Sequence, residues 1–412
     1  MNKLIIVGGG ISGLYLGYKL ADHYDITILE KTDRLGGRIM TKNYGGFNFE
    51  AGAGRFSRCH KILYRLLEEF GLTNKDKLIP IKKTFQYRGI YNKIEQRDTD
   101  INYYYRKVFN HLDIMKNNYG TQQLANMSTY DFLKTVLTPR EFNNLISIYP
   151  FIGDIKYSSA LCGLNILSCE YNSKQFFVLN GGLEQLVKTL EENIISKGCL
   201  IKKGVEITSC NAKGDNYILK DTDGLQYDCN KLILCIPPLA LEKLKPNMKY
   251  FGFLKHLKHL PLLRIYFYYE QPQEVLEGLV KTVTDLDIHF ILPMNPQMIM
   301  ISYTDSELAD MWYSLYNSDR EEFYRKMLGE FRQVLGVELN KPSKVFMEYW
   351  ADGMYVWKKG YDYIQNADKI SYPCRNLYVS NEGFSDKQGW IEGSLRMAND
   401  ILGELGEMET ID

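Results

Sequence analysis

The run Gly8-Gly9-Gly10-Ile11-Ser12-Gly13 constrains this chain more than any other feature. It follows Leu4-Ile5-Ile6-Val7, a continuous apolar run of the kind found in strands covered on both faces. Leu14, Leu16 and Leu20 come next in helical spacing, and Ile26-Thr27-Ile28-Leu29 reads as a second, β-branched strand. A β-α-β opening with G-x-G-x-x-G at its first turn is a dinucleotide-binding pattern. Gly8 permits the tight turn, Gly10 lets backbone approach a pyrophosphate, and Gly13 lets helix and strand pack closely. The helix N-terminus at Ile11 and Ser12 offers N–H donors and positive partial charge to phosphate. Glu30 ends the second strand, where a carboxylate accepts from both ribose hydroxyls and repels a 2′-phosphate. The expected nucleotide is therefore of the unphosphorylated ADP type.

Downstream, the pattern changes twice. A helix is expected from about Ile62 to Phe70. From Asp76 to about Ile166 helical segments alternate with polar loops and read as an inserted, largely helical region. Near Phe177 the α/β style returns, with a helix from Leu183 to about Ser196. Strands are expected at Leu200–Gly204, Glu206–Cys210, Tyr217–Lys220 and Leu232–Ile236, with a hairpin turn at Asp223-Gly224. A second insertion begins near Lys249, with strands around Leu263–Tyr269, Ile288–Leu292 and Met298–Tyr303 and a helix around Asp319–Leu335. A last strand, Asn376–Ser380, leads into a helix from about Gly389 to Leu405. One domain assembled from residues 1–75, 177–248 and 345–412, and another from 76–176 and 249–344, accounts for this alternation.

Composition removes several function classes. Fifty Lys+Arg balance fifty Asp+Glu, so the chain lacks the basic surplus of a bulk nucleic-acid binder. No two of the eight cysteines stand as C-x-x-C, which leaves zinc and thioredoxin-like readings unsupported, and no metal is expected. No stretch approaches 18 consecutive apolar residues, no secretory signal is read, and Glu409-Thr410-Ile411-Asp412 matches no lipidation or retrieval motif. A cytoplasmic protein with reduced thiols and no membrane span is the expectation. There is no G-x-S-x-G and no H-E-x-x-H, so nucleophilic and zinc-protease chemistry have no carrier.

Directly after Glu30 stands Lys31-Thr32-Asp33-Arg34-Leu35-Gly36-Gly37-Arg38. A further Gly pair followed by an Arg offers a second approach to the pyrophosphate, since a guanidinium binds phosphate oxygens in bidentate fashion. With this extension the chain resembles the flavin-containing amine oxidases, of the monoamine and polyamine oxidase type. The likeness continues in Glu50-Ala51-Gly52-Ala53-Gly54-Arg55-Phe56, similar to the family's glycine-rich segment near the flavin ring. Phe177-Val178-Leu179-Asn180-Gly181-Gly182 is similar to its short strand before a G-G turn. Val205 sits where its adenine-contacting valine lies, and Cys235-Ile236-Pro237-Pro238 resembles its strand-end motif. Leu377-Tyr378-Val379-Ser380-Asn381-Glu382 and Gly389-Trp390-Ile391-Glu392-Gly393-Ser394 resemble its C-terminal flavin-closing motif. The resemblance implies a three-layer, Rossmann-like α/β domain with a parallel sheet that binds FAD. It also implies a discontinuous α+β substrate-binding domain.

The activity so implied is oxidation of an amine C–N bond by hydride transfer to flavin N5, the amine being a polyamine, a monoamine or an amino acid. Oxygen or another acceptor then reoxidises the flavin. Tyr355 and Trp390 hold the positions of the family's two aromatic substrate walls; the first could slide to Trp357. Met354 stands where monoamine oxidases carry the cysteine that joins the flavin, so FAD is expected to be non-covalent. Two departures appear. Arg264 matches the family's flavin-proximal Lys, and Arg is not interchangeable with Lys; it reads equally as a strand residue satisfied by a structural carboxylate. Asn381 replaces a usual Gly. The same scaffold also serves desaturases and UDP-sugar mutases, and a flavin-binding protein without catalysis is a further alternative.

Overall fold

A computed structural model describes residues 2–74, 76–81, 86–90, 101–172, 175–244 and 250–407, apart from the side chains of 101–107 and 169–172. The chain divides into two compact units, one of Met1–Ile81, Ser173–Leu257 and Asp362–Asp412, the other of Lys82–Asn172 and Lys258–Tyr361. The expected breaks at 75/76, 176/177 and 248/249 are corrected to 81/82, 172/173 and 257/258, because Leu78–Pro80 pairs with Phe176–Leu179 inside the first unit.

The first unit is built on a five-stranded parallel sheet. Its order is Leu377–Val379, Lys231–Leu234, Lys3–Val7, Asp25–Glu30, Leu200–Lys203. The amino-terminal strands are central, the second chain segment flanks them on both sides, and the third supplies one edge. Side chains alternate across these strands. Leu4, Ile6, Ile26, Ile28 and Ile233 pack with the helices Ile11–Leu20, Glu184–Ser196 and Ile391–Glu404. Ile5, Leu232 and Leu234, also buried, alternate with them on the opposite face. That side is met by an antiparallel meander of Ile207–Lys213, Asn216–Asp221 and Gln226–Cys229. Helices, parallel sheet and meander make the three layers. The Asp223-Gly224 turn joins Asn216–Asp221 to Gln226–Cys229, a strand the sequence reading left out. Asp221 shapes this turn by accepting from the N–H groups of Asp223 and Leu225 at 3.0 and 2.9 Å.

The second unit holds a six-stranded sheet in the order Lys344–Trp357, Leu257–Tyr268, Met298–Asp305, Phe290–Asn295, Thr282–Val283, Gln86–Tyr87. Leu263, Ile265 and Phe267 face one core with Ile299, Ile301, Trp312, Phe323, Met327 and Phe331. The last four come from the helices Ser306–Ser318 and Arg320–Leu335. The second helix starts where expected, because the Asp319 carboxylate accepts from the N–H of Glu322 at 3.0 Å, and it stops at Gly336 with φ +72°. The first, Ser306–Ser318, has no side-chain cap to announce it in the sequence. Six further helices between Ile101 and Asn172 form the inserted helical region. The expected start of the third segment at 345 is corrected to 362. Lys344–Trp357 is bonded into the second unit's sheet, and it carries Tyr355 with it.

At the end of the Met298–Asp305 strand, Asp305 is fully buried and accepts from the N–H of Gly153 at 2.8 Å. Burial pushes its carboxyl up to about 7, against the pull of that N–H. The folded state then binds more protons than the unfolded state between pH 4 and 7. Stability therefore falls as pH rises through that window. Asp305→Asn should unfold at higher denaturant than the parent at pH 8, by roughly 1–4 kcal/mol, and the gap should close at pH 4. Urea titrations at both pH values check this; a gap that does not change with pH would mean Asp305 is ionised at little cost.

Candidate functional site

The Gly8–Gly13 turn has the geometry that a close-approach site requires. Gly8 has φ +106°, and a Cβ there would stand 2.5 Å from the Cys235 carbonyl oxygen. A Cβ on Gly13 would stand 2.1 Å from the Gly8 carbonyl oxygen. Neither position admits another residue. At Gly10, by contrast, a Cβ would meet nothing within 4 Å. Gly10 caps the Ile11–Leu20 helix without a side-chain hydrogen bond, so the positive end of that helix opens on clear space. A cradle of this form at a helix N-terminus fits a pyrophosphate.

The Glu30 carboxylate fixes the cradle's rim. One oxygen accepts from the N–H of Gly9 at 2.8 Å, and the other from the N–H and hydroxyl of Thr32 at 2.9 and 2.8 Å. The Val205 N–H donates to the Glu30 carbonyl at 2.9 Å, which sets Val205 beside the end of that strand. The loop that begins at Lys31 folds back, and the Gly36 N–H donates to the Gly9 carbonyl at 2.8 Å. Gly36 and Gly37 have φ +97° and +57°. Arg34, which sequence reasoning did not assign, holds this turn by donating to the carbonyls of Leu35, Gly37 and Ile39. Arg38 reaches Glu382 Oε2 at 2.7 Å and Asn381 Oδ1 at 3.3 Å. The Glu382 contact lacks hydrogen-bond alignment and is an ion pair. The other Glu382 oxygen accepts from the N–H of Gly389.

The segment from Gly52 to Phe56 lies against Arg38. The Ala53 N–H donates to the Arg38 carbonyl at 2.9 Å, and a Cβ on Gly52 would stand 2.0 Å from the same oxygen. A Cβ on Gly54 would meet the Glu50 side chain at 2.2 Å. Phe56 is buried in the core beside Leu63 and Leu67. Arg55 lies over two rings, 5.0 Å from the Phe176 centroid and 5.2 Å from that of Trp390. Those rings are stacked at 5.6 Å and 6°. His60 packs on Trp390 from another side, at 4.8 Å and 60°. Its imidazole is pushed down to about 4 by burial and then by the charges of Arg55 and Lys387.

Trp390 caps the Ile391–Glu404 helix, and two residues on, Glu392 accepts from the N–H groups of Ile62 and Leu63, both at 3.1 Å. A carboxylate from the last helix thus caps the first turn of Lys61–Glu69. Phe176, His60 and Glu392 carried no motif of their own, and only Glu392 stood inside a recognised one.

Arg264 and Tyr355 belong to the second unit. Arg264 pairs in register with Tyr303, lies 4.5 Å over its ring and reaches its hydroxyl at 3.4 Å. Next to it the pairing slips by one residue between Ile265 and Tyr266, a bulge of the kind that re-aims side chains. Tyr355 is buried, and its hydroxyl reaches Asp352 at 3.3 Å. Among the described residues no group of three His, Cys, Asp or Glu could hold a metal ion, and no helix is long and apolar enough to cross a membrane.

Removing the Glu30 carboxylate should release both the Gly9 and the Thr32 loops. Glu30→Ala should weaken FAD binding by about 1–3 kcal/mol, the cost of charged hydrogen bonds lost at a site. Fluorescence titration of the stripped protein measures it, and unchanged affinity would show that the ribose does not meet this carboxylate.

The family model described as flavin containing amine oxidoreductase matches residues 11–398. "Amine oxidase [flavin-containing] A" of Equus caballus is 22% identical over 100% of this chain and 87% of its own length. A flavin-dependent L-tryptophan oxidase of Lentzea aerocolonigenes is 22% identical over 96% of each. The structure of a putrescine oxidase bound to putrescine superposes with a TM-score of 0.79 at 16% identity, covering 98% of both chains, and so shares the fold. The open cradle at Gly10, the Glu30 carboxylate and the two-ended Arg38 tie fit the flavin dinucleotide that this family carries. The chain belongs to the flavin-containing amine oxidoreductases, and FAD is its cofactor.

Proposed function

We propose that this protein oxidises the C–N bond of an amine that also bears a carboxylate, an amino acid, with oxygen as the final acceptor. Bound FAD supplies the hydride acceptor for that chemistry. The observation that carries the substrate class is the cation at the aromatic wall: Arg55 lies within 5.2 Å of the Trp390 and Phe176 centroids. Hydride leaves an amine carbon readily only when the nitrogen is unprotonated. A fixed positive charge beside the wall lowers the affinity of an ammonium for its proton and attracts a carboxylate. A diamine would instead bring a second cation to this wall. Like charges brought to one partly buried wall repel, which disfavours the diamine against the amino acid. The tryptophan oxidase relative acts on an amino acid and the putrescine oxidase neighbour on a diamine, so both ends of this choice exist on the fold.

In this reading Trp390 is an aromatic wall that orients the substrate, and Arg55 holds its carboxylate. Tyr355 is a second wall and Arg264 a fixed charge that stabilises reduced flavin; both roles rest on the resemblance alone. FAD is bound without a covalent link, because the Met354 thioether cannot form one.

An anaerobic screen tests this proposal. Amino acids should bleach the flavin, and putrescine and longer polyamines should not. Arg55→Met should raise the apparent dissociation constant for the amino acid at least ~10-fold. Trp390→Ala should slow reduction at saturation by about the same factor and spare FAD content. Acid precipitation should leave the flavin in the supernatant. Bleaching by diamines alone would overturn the substrate class. Bleaching by no amine at all would favour desaturase or mutase chemistry, or a protein that binds flavin without turnover.

A further inference from the structure

We infer that His60 is a positioning residue for Trp390, its imidazole Nε2–H pointing at the face of the indole. Its consequence for turnover rests on the reading of Trp390 as a substrate wall.

The tautomer follows from the backbone. The Ser57 N–H approaches His60 Nδ1 at 3.4 Å, so Nδ1 is the acceptor and a neutral ring carries its proton on Nε2. That nitrogen is sealed from solvent and meets no oxygen or nitrogen acceptor. A buried N–H left without any partner is costly. The ring it does meet is Trp390, with centroids 4.8 Å apart and planes tilted by 60°. A tilt of that size brings the edge of one ring to the face of the other, the arrangement of an N–H···π contact.

Neutrality is built in. His60 is the residue before the Lys61–Glu69 helix, so the positive end of that helix disfavours a second proton. Burial disfavours it too, and so do Arg55 and Lys387, while the nearby Glu392 carboxylate is engaged by the N–H groups of Ile62 and Leu63. A neutral imidazole at a helix N-terminus is a hydrogen-bond donor rather than an acid. Phe176 fixes the plane of the indole by stacking, but a stacked ring can slide or flip within its plane. A donor aimed at the π cloud pins the ring in place, which a wall that acts by orientation requires.

The direct test is nuclear magnetic resonance of the holoprotein with 15N-labelled histidine, six residues in all. The His60 signals are those that move on Trp390→Phe. They should show the Nε2–H tautomer, no titration between pH 5 and 8, and an upfield-shifted Nε2 proton. An Nδ1–H tautomer, an imidazolium at pH 6, or no histidine signal that moves on Trp390→Phe would overturn the contact.

The second arm is kinetic. His60→Phe keeps a ring and deletes the donor. It should lower the limiting rate of anaerobic flavin reduction ~10-fold while leaving the apparent substrate dissociation constant and FAD content at parent values, and His60→Gln should recover part of the loss. A parent-like limiting rate in His60→Phe would show that the contact positions nothing. If His60→Phe does not hold FAD, the spectra of the unaltered protein still decide the contact. Those spectra need no substrate, so failure of the imidazole contact and failure of the amino-acid reading give different results.

Discussion

The ion pair between Arg38 and Glu382 is the contact on which the first unit depends. Arg38 follows the amino-terminal glycine turn, and Glu382 follows the last strand of the parallel sheet. Their charges meet 2.7 Å apart, with the Glu382 side chain 6% exposed and that of Arg38 26%. A carboxylate so nearly buried needs its partner, and removing either charge leaves the other stranded. Asn381 and Gly389, which bond to Arg38 and to Glu382 respectively, extend the tie on both sides. The Glu392 cap on Lys61–Glu69 makes a second connection between the first and last segments. The hydroxyl of Ser12, donating to the Ser394 carbonyl at 3.2 Å, adds a third. The amino-terminal glycine turn and the segments that follow it are thus joined to the last chain segment at three places. Contacts of such sequence separation form late and slowly in folding.

The same ends set the electrostatics of the candidate substrate wall. Arg55 comes from the amino-terminal segment, Phe176 from the middle one and Trp390 from the last. Burial first, and then the charges of Arg55 and Lys387, keep His60 neutral, and the Arg55 guanidinium lies over two apolar rings. An aromatic wall that bears a cation is suited to a ligand with an anionic end and an uncharged amine. A wall of two bare rings would accept any amine. The distinction rests on one guanidinium, which is why Arg55 weighs more in the proposed specificity than any other residue of the first unit.

The sequence made the architecture legible where periodicity and turn chemistry carry it. The glycine turn, both flanking strands, the Glu30 position and the helix after Asp319 follow from local pattern. The Arg320–Leu335 helix shows its cap in Asp319 and its stop in Gly336. Its neighbour Ser306–Ser318 was hidden because the residue that opens it, Ser306, sits at φ +53° directly after a strand, a junction without a recognisable cap. The Gln226–Cys229 strand is four residues long and offers no alternation to read. The boundary at 345 failed for another reason: Lys344–Trp357 is a good strand by composition, and only its hydrogen bonds say which sheet it joins. Within the site, the glycines and Glu30 were readable because each satisfies a local demand. Arg34, His60 and Phe176 were not, because their partners are carbonyls and rings that no spacing announces. Arg38 was read as a phosphate ligand, and its tie to Glu382, 344 residues away, left no mark in the sequence.

If Arg38 and Glu382 hold the FAD site together, cofactor affinity depends on the pair and not on either residue alone. A double-mutant cycle of Arg38→Met and Glu382→Gln, read by FAD dissociation constants of the stripped protein, tests it most directly. If the pair is the tie, each single variant should weaken binding by about 2–4 kcal/mol and the double variant by no more than the worse single. Losses that simply add would mean that Arg38 and Glu382 act on the cofactor independently, and the tie between the chain ends would have to be sought elsewhere.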